Sequence, residues 1–553
     1  MLKKYIFPLL ALVALCLLAG GYSVYIGQDV NFDLMNYHLY TPYAFLHGLG
    51  ARNLIPAGIH SFFNPLPDLY FHTVFWTFFN YPKWLAFFMG IPYGLLIWVS
   101  YWLAKEFFEG HEYTRFLAAS TAAMVATAAC ILVQVGTTTN DIPLAVLNTT
   151  ALWLGLKFIK TPSRPLYAYG AALLAGAVAG MKLTSSPFCL ALTAALFIHF
   201  KSCRISFKTF LIFALCGVGG FLVTNGYFMW ENWQLYHNPI FPYYNQFFKS
   251  PYFDPVYVTD TRFFPKNIYQ WLFYPFFWAF KPAKLCTEDY MQDPRLACAF
   301  IAVATLAVLL LKKRCKTNVR LTLSLLAYVV VGYIAWLKGF SMLRYGVMLE
   351  VTSSLLLVVL CANLCKGKWA GYASLLVLGG LIYGLYIPDY QHNPFDKQAI
   401  VFTDKPTVED NSLVFLMLQP GSYLIPFLNP NASYMGGFVA KKEDYPKELH
   451  KEVALINNLP EQYLQFHFEE LQRKKIAEHK GPLYVVSVYG PLITHPASLS
   501  RFGLKGDFKK CRPFTTNITI YSLKLALCPV EKAPVIIPST NNNEASAQSN
   551  NQK

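Results

Sequence analysis

Apolar runs of about 15 to 20 residues recur along roughly the first 390 positions of this chain, and runs of that length can cross a lipid bilayer as helices. The 553-residue sequence is 55% hydrophobic and 17% aromatic, and only 14% of its residues are charged. A soluble domain is about a quarter charged. The recurring runs therefore predict a polytopic, α-helical membrane protein.

The first apolar run, YIFPLLALVALCLLAGGY, follows Lys3 and Lys4 and resembles a signal peptide. No small-residue cleavage site follows it and more apolar runs come later, so we expect an uncleaved first helix. Basic residues concentrate at the cytoplasmic ends of membrane helices, which places the N-terminus in the cytoplasm.

Ten further spans complete a predicted set of eleven. They are expected at 84–104, 116–133, 141–156, 166–181, 187–200, 209–228, 296–311, 321–337, 346–363 and 369–387. The loops that this alternation places in the cytoplasm carry Lys and Arg, whereas the short loop 134–140 on the other side carries neither. The net charge of +16 then reflects contact with anionic lipid headgroups rather than a nucleic-acid partner.

The same alternation places the C-terminal part of the chain outside the cytoplasm. After the membrane domain, 1–388, charged residues become frequent and the alternating segments SLVFLML, PLYVVSVYG and NITIYSLKLALC predict strands. A helical pattern covers 443–480. We therefore predict a small extracytoplasmic α/β domain over 389–532, followed by a polar, disordered tail over 533–553.

Cysteine spacing says little about function. Cys511 and Cys528 fall in the predicted exported domain and would form a disulfide in an oxidising compartment. Two free thiols are the equally weighted alternative. No Cys and His spacing indicates zinc.

A polar, aromatic stretch, DVNFDLMNYHLYTPYAFLHG, occupies residues 29–48 just after the first span. Asp29 and Asp33 are four residues apart, so a helix would place them on one face, with Tyr37 continuing that face and His38 beside it. Aromatic residues at a membrane boundary often serve only as anchors. Two acids exceed what an anchor needs, and an ionisable residue at a membrane boundary is a candidate functional group.

Other polar residues fall on the same predicted side of the membrane, outside the ends of later spans. They are Asn140 and Asp141, Lys182, Glu231, His237 and Asn238, and Arg344 and Tyr345. Acids from early loops and cations from later ones could form structural pairs, and either cation could be a span-end anchor. The same combination suits a site that binds a lipid-linked phosphate and deprotonates an alcohol.

Four motifs resemble the GT-C superfamily of membrane glycosyltransferases, in the bacterial type that uses polyprenyl-phosphate sugars. They are the acidic first loop at 29–48, NDIPLAV, HNPIFPYYN with its Asn-Pro-x-x-Pro pattern, and RYGV. The sequence departs from two relatives, because its acids are not adjacent as in protein mannosyltransferases and it has no WWD-like motif of oligosaccharyltransferases. These departures leave the acceptor open and argue against protein N-glycosylation.

The resemblance implies inverting transfer of a hexosyl or pentosyl group to a lipid, glycan or protein acceptor outside the cytoplasm. It implies a general base among Asp33, Asp29 and Asp141, and donor-phosphate contacts from Lys182, Arg344 and Tyr345. We rank Asp33 first because it lies further from the end of the first span than Asp29 does. Residues expected to bind the substrates are Tyr37, His38, Asn140, Glu231, His237 and Asn238. A divalent cation, Mg²⁺ or Mn²⁺, held by the three aspartates is left open.

Two other classes of function stay open. The first is a transporter or flippase of lipid-linked glycans, although the ionisable residues here cluster at span ends rather than at mid-membrane depth. The second is an enzyme like the O-antigen polymerases and ligases, for which the loop 229–295 offers His237, Arg262 and Arg295. For every class the expected location is the bacterial cytoplasmic (inner) membrane.

Overall fold

A computed structural model of the chain describes residues 3–50, 52–203, 205–256, 258, 260–388, 391–437, 446–451, 467–518 and 523–534. The chain divides into two compact units. The first contains residues 1–34, 64–244 and 256–399, and the second contains residues 35–63, 245–255 and 400–553. The predicted tail from 535 onward lies outside the described residues.

The first unit is mainly helical. Its helices are α1 (Lys3–Ile26), α3 (Leu69–Thr77), α4 (Pro82–Phe107), α5 (Thr114–Ala126), α6 (Ala129–Val133), α7 (Asp141–Lys160), α8 (Leu166–Met181), α9 (Ser186–Phe197), α10 (Phe207–Tyr236), α12 (Ile268–Phe273), α13 (Arg295–Leu311), α14 (Val319–Gly339), α15 (Val347–Leu364) and α16 (Lys368–Tyr383). Helices α2 (Tyr40–Leu46) and α11 (Asn245–Phe248) belong to the second unit.

Six helices in the described part of the chain are long and apolar enough to cross a membrane. They are Ile6–Ile26, Pro82–Phe107, Asp141–Lys160, Phe207–Tyr236, Val319–Gly339 and Leu343–Leu364, and three shorter apolar helices accompany them at Leu166–Met181, Leu183–Phe197 and Arg295–Leu311. These nine segments coincide with nine of the eleven predicted spans. The prediction of a helical membrane protein is therefore confirmed.

The predicted continuous span 116–133 is wrong. The chain leaves the helical conformation after α5, and Ala128 is extended, with φ −75° and ψ 134°, before α6 begins. The sequence has neither proline nor glycine here, so no local signal marks the break. The helix ends instead because carboxylates from distant parts of the chain bind the first backbone N–H groups of α6.

The last predicted span, 369–387, falls on the 16-residue α16.

Helices α8 and α10 pack with their backbones close together. A Cβ atom at Gly176 would collide with the carbonyl of Gly217, and one at Gly220 would collide with the carbonyl of Leu173. Small residues that allow such an approach are typical of contacts between membrane helices. This packing fixes the end of α8, where Lys182 lies.

A two-stranded sheet closes the first loop of the first unit. Strand β1 (Gln28–Asp29) pairs antiparallel with β2 (His392–Asn393), so that Asp29 lies opposite His392. Residues 29 and 33 therefore do not share a helical face, and the expectation of one face carrying both acids is wrong. Asp29 is in the strand, whereas Asp33 is in the first turn of the helical segment that follows.

The second unit has a mixed β-sheet and a few short helices. Its strands are β3 (Phe402–Thr403), β4 (Leu413–Leu416), β5 (Ser433–Met435), β6 (Leu483–Val488), β7 (Leu504–Gly506), β8 (Arg512–Thr516) and β9 (Leu525–Lys532). Its helices are α2 (Tyr40–Leu46), α11 (Asn245–Phe248), α17 (Glu469–Glu478) and α18 (Pro496–Leu499). The strand order is β3-β8-β9-β6-β4-β5, with β7 also paired to β9.

Two of the three strand patterns found in the sequence correspond to β4 and β6. Of the third, NITIYSLKLALC, only the last four residues lie in a strand, β9, and residues 519–522 lie outside the described residues. Strand β4 runs parallel to β5 and β6, and β9 runs antiparallel to β6. Of the predicted helical region 443–480, only α17 and a short 3₁₀ turn at Lys447–Leu449 fall on described residues.

The segment 35–63 joins the second unit through the edge of its sheet. The backbone N–H of Leu54 donates to the carbonyl of Tyr434 at 2.9 Å, and the N–H of Gly436 donates to the carbonyl of Leu54 at 2.9 Å. The sequence placed this segment with the membrane domain. Nothing in its composition indicates pairing with a strand almost 400 residues away.

The structure pairs the two cysteines of the part that the sequence predicts to be exported. Cys511 and Cys528 form a disulfide with a Cα–Cα distance of 4.1 Å. They lie next to the antiparallel pair of β8 and β9, in which Arg512 is opposite Leu527. A disulfide at this place agrees with an oxidising compartment.

Candidate active site

Asp29 joins the first loop to the loop that precedes α7. One carboxylate oxygen accepts hydrogen bonds from the backbone N–H of Asn31 at 3.0 Å and from its side-chain amide at 2.7 Å, and the other accepts from the backbone N–H of Thr138 at 2.7 Å. Burial raises the pKa of Asp29, and His392 and the N–H donors oppose this shift with smaller effects. Asp29 therefore holds the first loop and the loop before α7 together.

Asp33 is paired with a cation from the other end of the unit. Arg344 Nη1 lies 2.8 Å from Asp33 Oδ2, and the two side chains are 14% and 12% exposed. Arg344 Nη1 also lies 3.7 Å from Glu288 Oε2, and Nη2 donates to the hydroxyl of Tyr345 at 3.3 Å. The guanidinium thus faces two carboxylates and one phenol.

The turn that carries Arg344 is held by the residues around it. It is a 3₁₀ turn at Leu343–Gly346, just before α15. The indole N–H of Trp336 donates to the carbonyl of Met342 at 2.7 Å, and the backbone N–H of Leu343 donates to the carbonyl of Cys286 at 2.7 Å. These two bonds fix the backbone immediately before Arg344.

Lys182 forms a second cationic pair. Its ammonium donates to Asp141 Oδ1 at 2.6 Å and to Asn140 Oδ1 at 2.8 Å. Asn140 in turn donates to Asp68 Oδ1 at 2.9 Å. Lys182 follows the end of α8, and Asp141 opens α7, where a negative charge is favoured by the helix dipole.

The ring of Tyr345 connects the two pairs. The Lys182 ammonium lies 5.2 Å from the ring centre, and the Arg344 guanidinium lies 5.3 Å from the same centre. Cations this close to an aromatic ring are attracted to its face. Six residues chosen from the sequence thus form one group, called here the ion-pair cluster: Asp33, Asn140, Asp141, Lys182, Arg344 and Tyr345.

One acceptor in the ion-pair cluster is unused. Asp141 is 7% exposed, and its Oδ2 atom is buried with no hydrogen-bond partner within the described part of the chain. A buried carboxylate oxygen without a donor costs free energy. This oxygen can accept a proton or a hydrogen bond from a bound hydroxyl.

The aromatic residues of the first loop have a different environment. Tyr37 and His38 are buried and belong to the second unit. The Tyr37 ring stacks on His60 with centroids 4.6 Å apart, and the rings of His38 and Phe63 lie 4.0 and 5.6 Å from it. They form an aromatic cluster within that unit.

The residues after α10 take part in their own turn. Asn238 is fully buried, donates to the carbonyl of Tyr243 at 3.0 Å and accepts from the backbone N–H of Ile240 at 3.1 Å. His237 is exposed and ends α10 in the left-handed conformation, at φ 55°. Neither Glu231 nor His237 forms a hydrogen bond or ion pair with the ion-pair cluster, as far as the described contacts extend.

Two acids at the site were not chosen from the sequence. Asp68, which is 2% exposed, and Glu288 both lie in loops that the predicted topology places outside the cytoplasm. An inventory of every acid in the loops 23–83 and 229–295 would have included both. With them, three carboxylates face the two cations, and a fourth, that of Asp68, accepts from Asn140.

The arrangement does not present a ligand set for a metal. Across the ranges that the structure describes, no group of three or more His, Cys, Asp or Glu residues could hold a metal ion. Asp33 and Asp141 are each paired with a cation, and both oxygens of Asp29 accept from N–H groups.

The chain was compared with protein families, curated proteins and solved structures. No protein-family model matches this chain, and no curated protein matches its sequence. Among solved structures, the apo form of the oligosaccharyltransferase of Archaeoglobus fulgidus is similar over 88% of this chain and 70% of that chain, with 14% identity and a TM-score of 0.44. Similarity at this level assigns no function to this chain.

Proposed function

We propose that this chain is a membrane glycosyltransferase that moves a sugar from a polyprenyl-phosphate donor to the hydroxyl of a lipid, glycan or protein acceptor. The observation that carries the proposal is the ion-pair cluster, in which Arg344 and Lys182 lie 5.3 and 5.2 Å from the centre of the Tyr345 ring and each faces a carboxylate. The ion-pair cluster supplies cations that can bind a phosphate and carboxylates that can accept a proton. The four GT-C-like motifs agree with this assignment.

In this mechanism Asp33 removes the proton of the acceptor hydroxyl as its oxygen attacks the anomeric carbon. The bond from that carbon to the phosphate oxygen breaks, configuration inverts, and polyprenyl phosphate leaves with the bonding electrons. Arg344 and Lys182 stabilise the charge that develops on the leaving phosphate. Arginine can bind a phosphate through two N–H groups, whereas lysine acts as a point charge.

Asp141 is the second candidate for the base. Its buried, unpartnered Oδ2 is available to a hydroxyl, whereas Asp33 is bound to Arg344 until another group attracts that cation. We retain Asp33 as the first candidate, because donor phosphate would compete for Arg344 and so uncover Asp33. Asp29 has a supporting role, holding the loop of Thr138 near Asn140 and Asp141.

The polymerase or ligase alternative rests on His237, Arg262 and Arg295, and both arginines are paired with aspartates. Arg262 pairs with Asp260 two residues away, with contacts of 2.6 to 3.0 Å. Arg295 is 1% exposed and pairs with Asp293 at 2.7 Å. The loop therefore offers less cationic surface than its sequence indicates, and the glycosyltransferase proposal is preferred.

A radiolabelled polyprenyl-phosphate monosaccharide tests the proposal. The purified protein, given this donor and an extract of cell-envelope glycolipids and glycans, should release polyprenyl phosphate and transfer label in one step. Asp33→Asn is the catalytic control, and Glu469→Gln is the matched control for loss of a carboxylate from an arginine pair. Movement of intact donor across vesicles without chemical change would favour a flippase instead.

A further inference from the structure

The break between α5 and α6 is held by two buried carboxylates. Asp293 Oδ2 accepts from the backbone N–H of Ala129 at 3.0 Å. Glu350 Oε1 accepts from the N–H of Cys130 at 3.0 Å, and its Oε2 accepts from the N–H of Ile131 at 3.0 Å. The first N–H groups of a helix have no partner within the helix. These carboxylates supply the partners, so they explain why the helix restarts here.

Glu350 is an unusual residue for its position. It lies in the first turn of α15, within an apolar span, and is 1% exposed. A charged group inside a membrane segment is costly and is a functional candidate by default. Both of its oxygens are used on the backbone of α6, so it reaches no substrate. Any effect of Glu350 on function must therefore be indirect, through the site residues that adjoin α6 and α15.

Both halves of the ion-pair cluster are attached to this contact. Arg344 and Tyr345 come just before Glu350 in the chain, and Asn140 and Asp141 follow the helix α6. The Sγ of Cys130 also donates to the carbonyl of Leu343 at 3.2 Å, next to Arg344. Three bonds therefore join the start of α6 to the segment 343–350.

We propose that Glu350 is a positioning residue that sets the spacing between the pair Arg344–Tyr345 and the pair Asn140–Asp141, and so the fit of the donor phosphate. The inference rests on the proposed function. Releasing α6 would move Asp141 and its partner Lys182 relative to Arg344. Because phosphate contacts depend on placement, donor binding should weaken even though Glu350 never touches the donor.

The same helix offers a matched control at its other end. Asn363 Oδ1 accepts from the backbone N–H groups of Lys316 and Thr317 at 2.7 and 3.3 Å, and Asn363 is 3% exposed. It is a buried side chain of α15 that holds two successive backbone N–H groups, as Glu350 is. It does so at the end of α15 away from the ion-pair cluster.

The experiment compares Glu350→Gln with Asn363→Ala in the full-length purified protein. Binding of a short-chain polyprenyl phosphate is measured together with thermal stability and hydrogen exchange of the peptide around 128–133. Glu350→Gln should raise the Kd at least tenfold and speed exchange of the α6 amides. Asn363→Ala should leave the Kd within twofold, even where it lowers stability equally. Cys130→Ala, a milder change, should raise the Kd about threefold.

The outcomes separate two failures. If wild-type protein does not bind polyprenyl phosphate, the proposed function fails. If wild type binds it and Glu350→Gln and Cys130→Ala bind it equally well, the positioning role is overturned. Equal weakening by Glu350→Gln and Asn363→Ala would also overturn it, because general loss of stability would then explain the effect. If Glu350→Gln does not fold, Cys130→Ala decides.

Discussion

Arg344 Nη1 lies 2.8 Å from Asp33 Oδ2. The cation proposed to bind the donor phosphate thus holds the carboxylate proposed to take the acceptor proton. A phosphate that attracts Arg344 competes with Asp33, so donor binding would free the base before the acceptor reacts. The same logic applies to Lys182 and Asp141, which are 2.6 Å apart.

Replacing the cations should weaken donor binding. Arg344→Ala should raise the donor KM at least tenfold or abolish turnover, because an uncompensated phosphate would enter a poorly solvated site. Arg344→Lys should recover only part of the loss, since an ammonium cannot make two parallel contacts. Steady-state kinetics with varied donor measure both.

Arg473→Ala is the matched control, because Arg473 pairs with Glu469 within α17. It should leave the donor KM unchanged. Lys182→Ala tests the second cation in the same way. Unchanged donor kinetics in Arg344→Ala would mean that this arginine only supports the end of its span.

The pH dependence of stability reports on Asp29. Because burial raises the pKa of Asp29, the folded protein binds this proton more tightly than the unfolded chain. The resulting stabilisation is present below the ordinary aspartate pKa and is lost as pH rises through the raised value. The melting temperature of wild type relative to Asp29→Asn should therefore fall as pH rises from about 4.

Thermal unfolding in detergent across the acidic to neutral range measures this difference, with Asp260→Asn as the control for loss of an exposed carboxylate. A difference that grows with pH would contradict the account. It would show that the N–H donors of Thr138 and Asn31, together with His392, outweigh burial.

Sidedness tests the topology on which the site depends. Basic loops predict that the chain after α16 is exported and that the loop 312–320 is cytoplasmic. An alkaline-phosphatase fusion after residue 395 should be active, and a fusion at 315 should be inactive. The reverse pattern would place the ion-pair cluster on the cytoplasmic side and remove the reason for a lipid-phosphate donor.

The membrane helices could be predicted because the apolar pattern is local. Hydropathy marks α4, α7 and α10 without knowledge of their neighbours, and alternation marks β4 and β6. The break at Ala128 could not be found in this way. It depends on Asp293 and Glu350, which are more than 160 residues away in sequence.

In the candidate site, too, the sequence identified single residues but not the contacts between distant parts of the chain. Polar residues at span ends identified Asp33, Lys182 and Arg344, because a charge there is costly and therefore conspicuous. The partner of each was not predictable, since pairing depends on how the helices pack. Asn238 was chosen from a motif, but its side chain holds its own turn, which a sequence motif alone does not distinguish from substrate binding.

The most direct test of the account measures binding and turnover together in Asp33→Asn. This variant keeps the shape of the side chain, removes the proton acceptor and removes the charge with which Asp33 holds Arg344. Turnover should fall at least ~10²-fold, while polyprenyl phosphate should bind about tenfold more tightly, a gain of ~1.4 kcal/mol. Glu469→Gln, which removes a carboxylate from the pair with Arg473, should change neither. Near-normal turnover in folded Asp33→Asn would transfer the role of base to Asp141 or Asp29, and weaker phosphate binding would contradict the competition between Asp33 and the donor.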